Sequence, residues 1–274
     1  MSLQRDRAHL LGTACFGSLA APVGLTLYAL CRATHAVTRD PARAKARCLA
    51  MGRMMLRALL RGCFWLKIKD APTTADWERL GLPTDSGCVI MINHTSNLDG
   101  FLFCALASPG VVRRCKSLMV GRSFDMPLLG TVFRLFGHEP VHFLKDEDGK
   151  FSVDKEKQAP VNDRVRAHVE NGGILAFCPE GAINKGDPTR CLPLRRGSFQ
   201  LAIDLGVPIF GFAALGQHRF WPNGAPPGRP ATCRVALYAV DAWNARLASG
   251  GRGVDGATAA ELADLCQAAM QASV

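Results

Sequence analysis

CVIMINHTSNLD, residues 88–99, joins a strand signal to a helix start. Its first six residues read as a short strand, apolar over 88–92 without polar alternation and closed by Asn93, and so as a strand buried on both faces. The run ends abruptly at His94. Ser96 or Asn97 is then placed to cap a helix that carries Asp99 in its first turn. A histidine at the carboxyl end of a buried strand, with a carboxylate one turn away, stands where ligand sites collect in open parallel sheets. Asp99 can accept the imidazole Nδ1–H and leave Nε2 free to take a proton, the arrangement of a general base with its orienting acid. Taken alone, the two residues fit a satisfied strand-end histidine and a helix-capping acid equally well.

Outward from this stretch, further strands are predicted at residues 64–68, 117–120, 141–144, 173–178, 208–212 and 234–240. Helices are predicted at 98–107, 127–136, 161–170 and 198–205, with a last one from 258 to about 272. Strands separated by helices of this length imply crossovers and an α/β fold, a largely parallel sheet flanked by helices. Residues 71–87 read as a turn-rich connector with Pro72 and Pro83, and 241–256 as a surface link through SGGRGVDG. The strand at 173–178 also ends on a charged residue, in Pro179-Glu180-Gly181, where the glycine allows close backbone approach. Two such termini are expected to converge on one edge of the sheet.

The chain before the sheet poses a membrane question. Residues 10–31, LLGTACFGSLAAPVGLTLYALC, carry no charge, and as a helix they would extend about 33 Å, enough to span a bilayer. Pro22 and its neighbouring glycines also allow a kinked re-entrant hairpin in one leaflet. A signal sequence or a buried helix are the other readings. The formal charge is +10, and eleven basic residues against only Asp6 and Asp40 lie before Ile68. That concentration beside an apolar segment favours an anionic lipid surface over nucleic acid. Residues 41–61 interleave leucine and methionine with Arg47, Arg53, Arg57 and Arg61, as in a basic amphipathic helix at a membrane or packed on the main domain. The chain thus divides into a membrane-anchoring basic helical region, 1–62, and an α/β domain with a C-terminal helix, 63–274. The heavier positive flank after Cys31 puts that domain on the cytoplasmic side.

Eleven cysteines are scattered without a CxxC pair, which reads as buried thiols in a reducing compartment. HExxH, the phosphate loop and the dinucleotide fingerprint are absent from the sequence, so no metal or cofactor is expected. His138 and His142 read as structural or surface residues. Cys178 has no histidine near it in sequence to activate it, and Ser96 lacks the GxSxG elbow of a hydrolase.

Asn93-His94-Thr95-Ser96-Asn97-Leu98-Asp99 resembles the NHxxxxD block of the glycerolipid acyltransferases typified by 1-acylglycerol-3-phosphate acyltransferase, and Phe177-Cys178-Pro179-Glu180-Gly181 resembles their FPEG block. Val207-Pro208-Ile209 is similar to their apolar proline-containing block, and the likeness runs from about Phe64 to Val240. The resemblance implies His94 as the base that activates a glycerol hydroxyl, Asp99 as its support, and Glu180 and Gly181 as residues that place the acceptor. It implies acyl-CoA as donor substrate, a lysophospholipid as acceptor, phosphatidic acid as product and an internal membrane such as the endoplasmic reticulum as location. Two departures bear on the acceptor. Ala182-Ile183-Asn184 stands where the family has Thr-Arg-Ser, so Ile183 replaces a cationic phosphate contact. Lys145 follows the 141–144 strand where the family often has arginine, and becomes the first candidate for an anionic headgroup, with Arg190, Arg195 and Arg196 as substitutes or adjuncts. Another lysophospholipid acceptor, thioester or lipid hydrolysis, and noncatalytic lipid binding are the alternatives.

Overall fold

Residues 88–92 are all buried, and they divide by parity between two hydrophobic clusters. Cys88, Ile90 and Ile92 face one cluster, and Val89 and Met91 the other. A strand covered on both faces has no solvent side, which is why its sequence is an unbroken apolar run. Each such aliphatic side chain contributes about 1.5–3 kcal/mol relative to exposure.

The computed structural model describes residues 2–145, 151–249 and 256–274. In chain order the elements are α1 (Ser2–Val37), α2 (Pro41–Gly62), β1 (Leu66–Lys69), α3 (Thr74–Arg79), β2 (Cys88–Ile92), α4 (Asp99–Leu106), α5 (Pro109–Arg114), β3 (Cys115–Val120), α6 (Leu129–Leu135), β4 (Glu139–Val141), β5 (Phe143–Lys145), β6 (Phe151–Val153), α7 (Lys155–Glu170), β7 (Ile174–Phe177), α8 (Gln200–Leu205), β8 (Ile209–Leu215), α9 (Gln217–Phe220), β9 (Ala231–Ala239), α10 (Asp241–Ala248) and α11 (Ala259–Ser273). Seven strands form one sheet in the order β1-β9-β8-β2-β7-β3-β4. Every neighbouring pair is parallel except β8 with β9, so the expected α/β fold with a largely parallel, helix-flanked sheet is what forms. Leu27, Leu49, Leu60, Leu102 and Val111 bring α1, α2, α4 and α5 into the first cluster. Val161, Trp243, Leu262 and Met270 bring α7, α10 and α11 into the second.

Several expectations are corrected. The strand at 141–144 is two strands: β4 closes the main sheet, and β5 pairs antiparallel with β6. His142 separates them, because its N–H donates to Gln158 Oε1 (3.0 Å) and its carbonyl accepts from Asp154 N (2.9 Å), which takes it out of the ladder. The connector at 71–87 contains α3, started by a capping box between Thr73 and Asp76 and anchored by buried Trp77. Helix α7 begins six residues ahead of its predicted start; Asp154 caps it, and the exposed Pro160 ring is accommodated. Residues 241–248 are helical around buried Trp243, whereas 250–255 of the expected link lie outside the described residues.

The N-terminal helix is a single unbroken rod rather than a hairpin, with Pro22 on its exposed side. One face packs through Leu27 and Cys31, and Phe16 meets Phe220 edge-on at 5.4 Å. The other presents Leu10, Leu11, Leu25 and Leu30. His9–Val37 is long and apolar enough to cross a membrane. Helix α2 buries Cys48, Leu49, Gly52 and Leu59 against the domain, and a Cβ at Gly52 would lie 2.5 Å from the Phe136 ring. Its apolar stripe is therefore used in packing.

Candidate active site

The register Met91↔Phe177 sets the carboxyl ends of β2 and β7 side by side, so the two charged termini do meet on one edge. Just past β2, Asn93 Nδ2 donates to Ala214 O and Asn93 Oδ1 accepts from Ala214 N, both at 2.8 Å. This buried amide clamps the end of β2 to β8 and fixes where His94 begins. Asn93→Ala is expected to destabilise the fold by about 1–3 kcal/mol, since the buried Ala214 N–H loses its partner while Ala214 O keeps the bond from Gln217 Nε2. Urea unfolding checks this, and a change near zero would refute it.

His94 is gripped at both backbone atoms. Its N–H donates to Glu180 Oε1 at 2.6 Å, and its carbonyl accepts from Asn184 N at 2.7 Å. The loop after β7 thus continues, by a side chain and an amide, the pairing that the strands have left off. The His94 Nδ1 lies 2.9 Å from Asp99 Oδ2. The same oxygen accepts from Thr95 N and Ser96 N, each at 2.9 Å. Asp99 is 1% exposed, while the His94 side chain keeps 25% of its surface open. Of the pair, only the imidazole reaches the surface.

The expected cap is corrected here. Helix α4 starts at Asp99 with no side-chain cap bond, because the Asp99 carboxylate itself gathers the upstream amides. Ser96 Oγ accepts from Leu98 N and donates to the Trp221 carbonyl instead.

Burial acts to lower the proton affinity of His94, but Cys178 and the Asp99 carboxylate outweigh it and raise the pKa to about 11. Cys178, just past the end of β7, is an electrostatic neighbour of the imidazole. Separation in sequence hides this contact, and the β2–β7 pairing creates it. Burial is the strongest influence on Glu180 and raises its pKa, with the His94 and Leu192 amides acting against it.

Glu180 is 3% exposed, and its second oxygen accepts from Leu192 N at 2.7 Å. Gly181 has φ +69°, a left-handed conformation that turns the loop back so that its N–H donates to Cys178 O (3.1 Å). A Cβ there would also lie 2.8 Å from Arg195 Nε. Lys145 ends β5 by its backbone; its side chain lies outside the described part of the structure. His138 is partly buried and accepts from Ser117 N (3.2 Å), and desolvation pushes its pKa down to about 3. It holds β3 to the turn before β4. Asn93, Asn184 and Gln217, whose Nε2 donates to Thr95 Oγ1 at 2.7 Å, complete the support. A polar residue closing an apolar strand was the visible signal for Asn93; the other two carry none.

The fold and the site define an α/β protein with a carboxylate-supported histidine at the carboxyl edge of a mostly parallel sheet. A family model described as Acyltransferase matches residues 78–214, half of the chain, and this chain belongs to that family, the glycerolipid acyltransferases. It is 28% identical over 142 residues to the chloroplastic 1-acyl-sn-glycerol-3-phosphate acyltransferase of Brassica napus, covering 52% of this chain and 37% of that one. It is 28% identical over 156 residues to the 1-acyl-sn-glycerol-3-phosphate acyltransferase of Limnanthes alba, covering 56% and 49%. The chain spans about half or less of the length of these curated relatives. The fold is similar to that of the 1-acyl-sn-glycerophosphate acyltransferase PlsC from Thermotoga maritima, with a TM-score of 0.63 and 14% identity, over 92% of this chain and 96% of that one.

Proposed function

We propose that this protein transfers a fatty acyl group from acyl-CoA to the free hydroxyl of 1-acylglycerol-3-phosphate, forming phosphatidic acid, with His94 as general base. The observation that carries this reading is the 2.9 Å pair of His94 and buried Asp99, with only the imidazole open to substrate. The acceptor proton passes to the unprotonated imidazole as the hydroxyl oxygen attacks the thioester carbonyl. The C–O bond forms, the C–S bond breaks, and the imidazolium returns the proton to the departing thiolate. No acyl-enzyme is required. Glu180 acts on the acceptor side by holding the His94 amide, Gly181 by clearing the backbone, and Lys145 by drawing the anionic headgroup.

The choice of acceptor is supported by the names of the matched relatives, which are 1-acyl-sn-glycerol-3-phosphate acyltransferases. The outward apolar face of α1 supports membrane attachment. The basic flank behind it supports a cytoplasm-facing catalytic domain on an internal membrane such as the endoplasmic reticulum. Detergent-solubilised protein given labelled acyl-CoA and a panel of lysolipids should form phosphatidic acid selectively. Transfer only to a zwitterionic or uncharged lysolipid would retain the base and reject the acceptor. Release of free fatty acid without transfer would reject both acceptor and reaction.

A further inference from the structure

Ile183 is apolar where the resemblance expects a phosphate-binding cation, and Lys145 brings a point charge rather than a fork of donors, so the acceptor proposed above calls for a second cation. Arg190, Arg195 and Arg196 are close in sequence, and their placement separates them. Arg190 Nε lies 3.9 Å from Asp187 Oδ2, an acid of its own loop. Arg196 lines a cavity with Cys191, Asp264 and Gln267, against α11.

Arg195 differs from both. Its N–H donates to Pro179 O at 2.8 Å, which ties its backbone to the loop whose Glu180 holds the His94 amide. Its side chain runs over Gly181: a Cβ there would stand 2.8 Å from Nε, 3.1 Å from Cγ and 3.4 Å from Cδ. The glycine is needed for the turn and also for the passage of this side chain. Arg195 is exposed, and no hydrogen bond or ion pair holds its guanidinium among the described residues. A cation lying over Gly181, next to the glutamate that holds the His94 amide, with a pinned backbone and an uncommitted fork of donors, suits a phosphate monoester better than a flexible lysine does.

The geometry points to Arg195 as the residue that binds the phosphate of the lysophospholipid acceptor, delivering from the following loop the charge that Ile183 does not carry. This rests on the function proposed above and names the specificity determinant of the same site. Arg195 is a substrate contact and takes no part in the proton transfer.

The test compares wild type, Arg195→Gln and Arg195→Lys with two acceptors of the same acyl chain, 1-acylglycerol-3-phosphate and the corresponding monoacylglycerol, varying acyl-CoA separately. Arg195→Gln should raise KM for the phosphorylated acceptor about ten- to hundredfold, as loss of a charge-assisted contact does, and lower the preference for it over the monoacylglycerol by the same factor. Arg195→Lys should recover part of that preference. An unchanged preference, an equal loss with both acceptors, or a rise confined to the KM for acyl-CoA would overturn the assignment and leave the proposed function standing. A wild type that favours the monoacylglycerol, or acylates neither, brings down the proposed acceptor or reaction, and this assignment with it.

Discussion

His94→Ala is expected to lower kcat for acyl transfer by about two to four decades, the usual contribution of a positioned general base. Substrate binding survives the change, because the backbone of residue 94 remains held by Glu180 and Asn184. Asp99 keeps its bonds from Thr95 N and Ser96 N, so the helix start is retained. The loss should therefore appear in kcat, with KM for both substrates and the unfolding midpoint close to wild type. Steady-state kinetics on the folded variant decide it. Activity like that of wild type would remove His94 from the mechanism.

Asp99→Asn should cost a similar two to four decades and, unlike His94→Ala, should move the pH profile. The elevated pKa of His94, about 11, depends in part on the negative charge of Asp99. The base form gains population as pH rises through that value, so the wild-type rate climbs towards alkaline pH. Without the carboxylate charge, the lowering effect of burial is opposed less, and the rising limb should shift to lower pH beneath a reduced plateau. The stability effect has the opposite sign. A histidine whose folded pKa lies above its unfolded value, about 6.5, contributes stability that is fully present below pH 6.5 and is lost as pH rises through about 11. Wild type should thus lose stability over the interval in which it gains rate, and Asp99→Asn should lose less. A kcat/KM profile with the same limb position in both proteins would show that Asp99 does not set the protonation of His94.

Much of this protein is legible in its sequence, for local reasons. The run 88–92 shows a strand covered on both faces, because any exposed face would have left polar residues at alternate positions. His94 and Asp99 are five residues apart across a strand-to-helix turn, so chain connectivity alone nearly sets their distance. What local pattern misses is equally specific. Helix α3 is hidden among turn-forming residues although its Thr73–Asp76 capping box is visible, and only the burial of Trp77 against Phe103 and Phe212 gives it a reason to persist. The strand at 141–144 divides because Gln158 and Asp154, on the far side of a connection, withdraw His142 from the ladder.

By itself the sequence determined the class of sheet, the positions of the two strand ends that carry charge, and the partnership of His94 with Asp99. These depend on residues a few positions apart, where backbone geometry leaves little freedom. The tertiary structure alone decided what meets those strand ends: Glu180 at the His94 amide, Cys178 beside its ring, Asn93 on Ala214, and Arg195 across Gly181. Each contact joins segments that only strand pairing or a returning loop brings together, and the periodicity of a single segment carries no record of the register in which another will lie beside it.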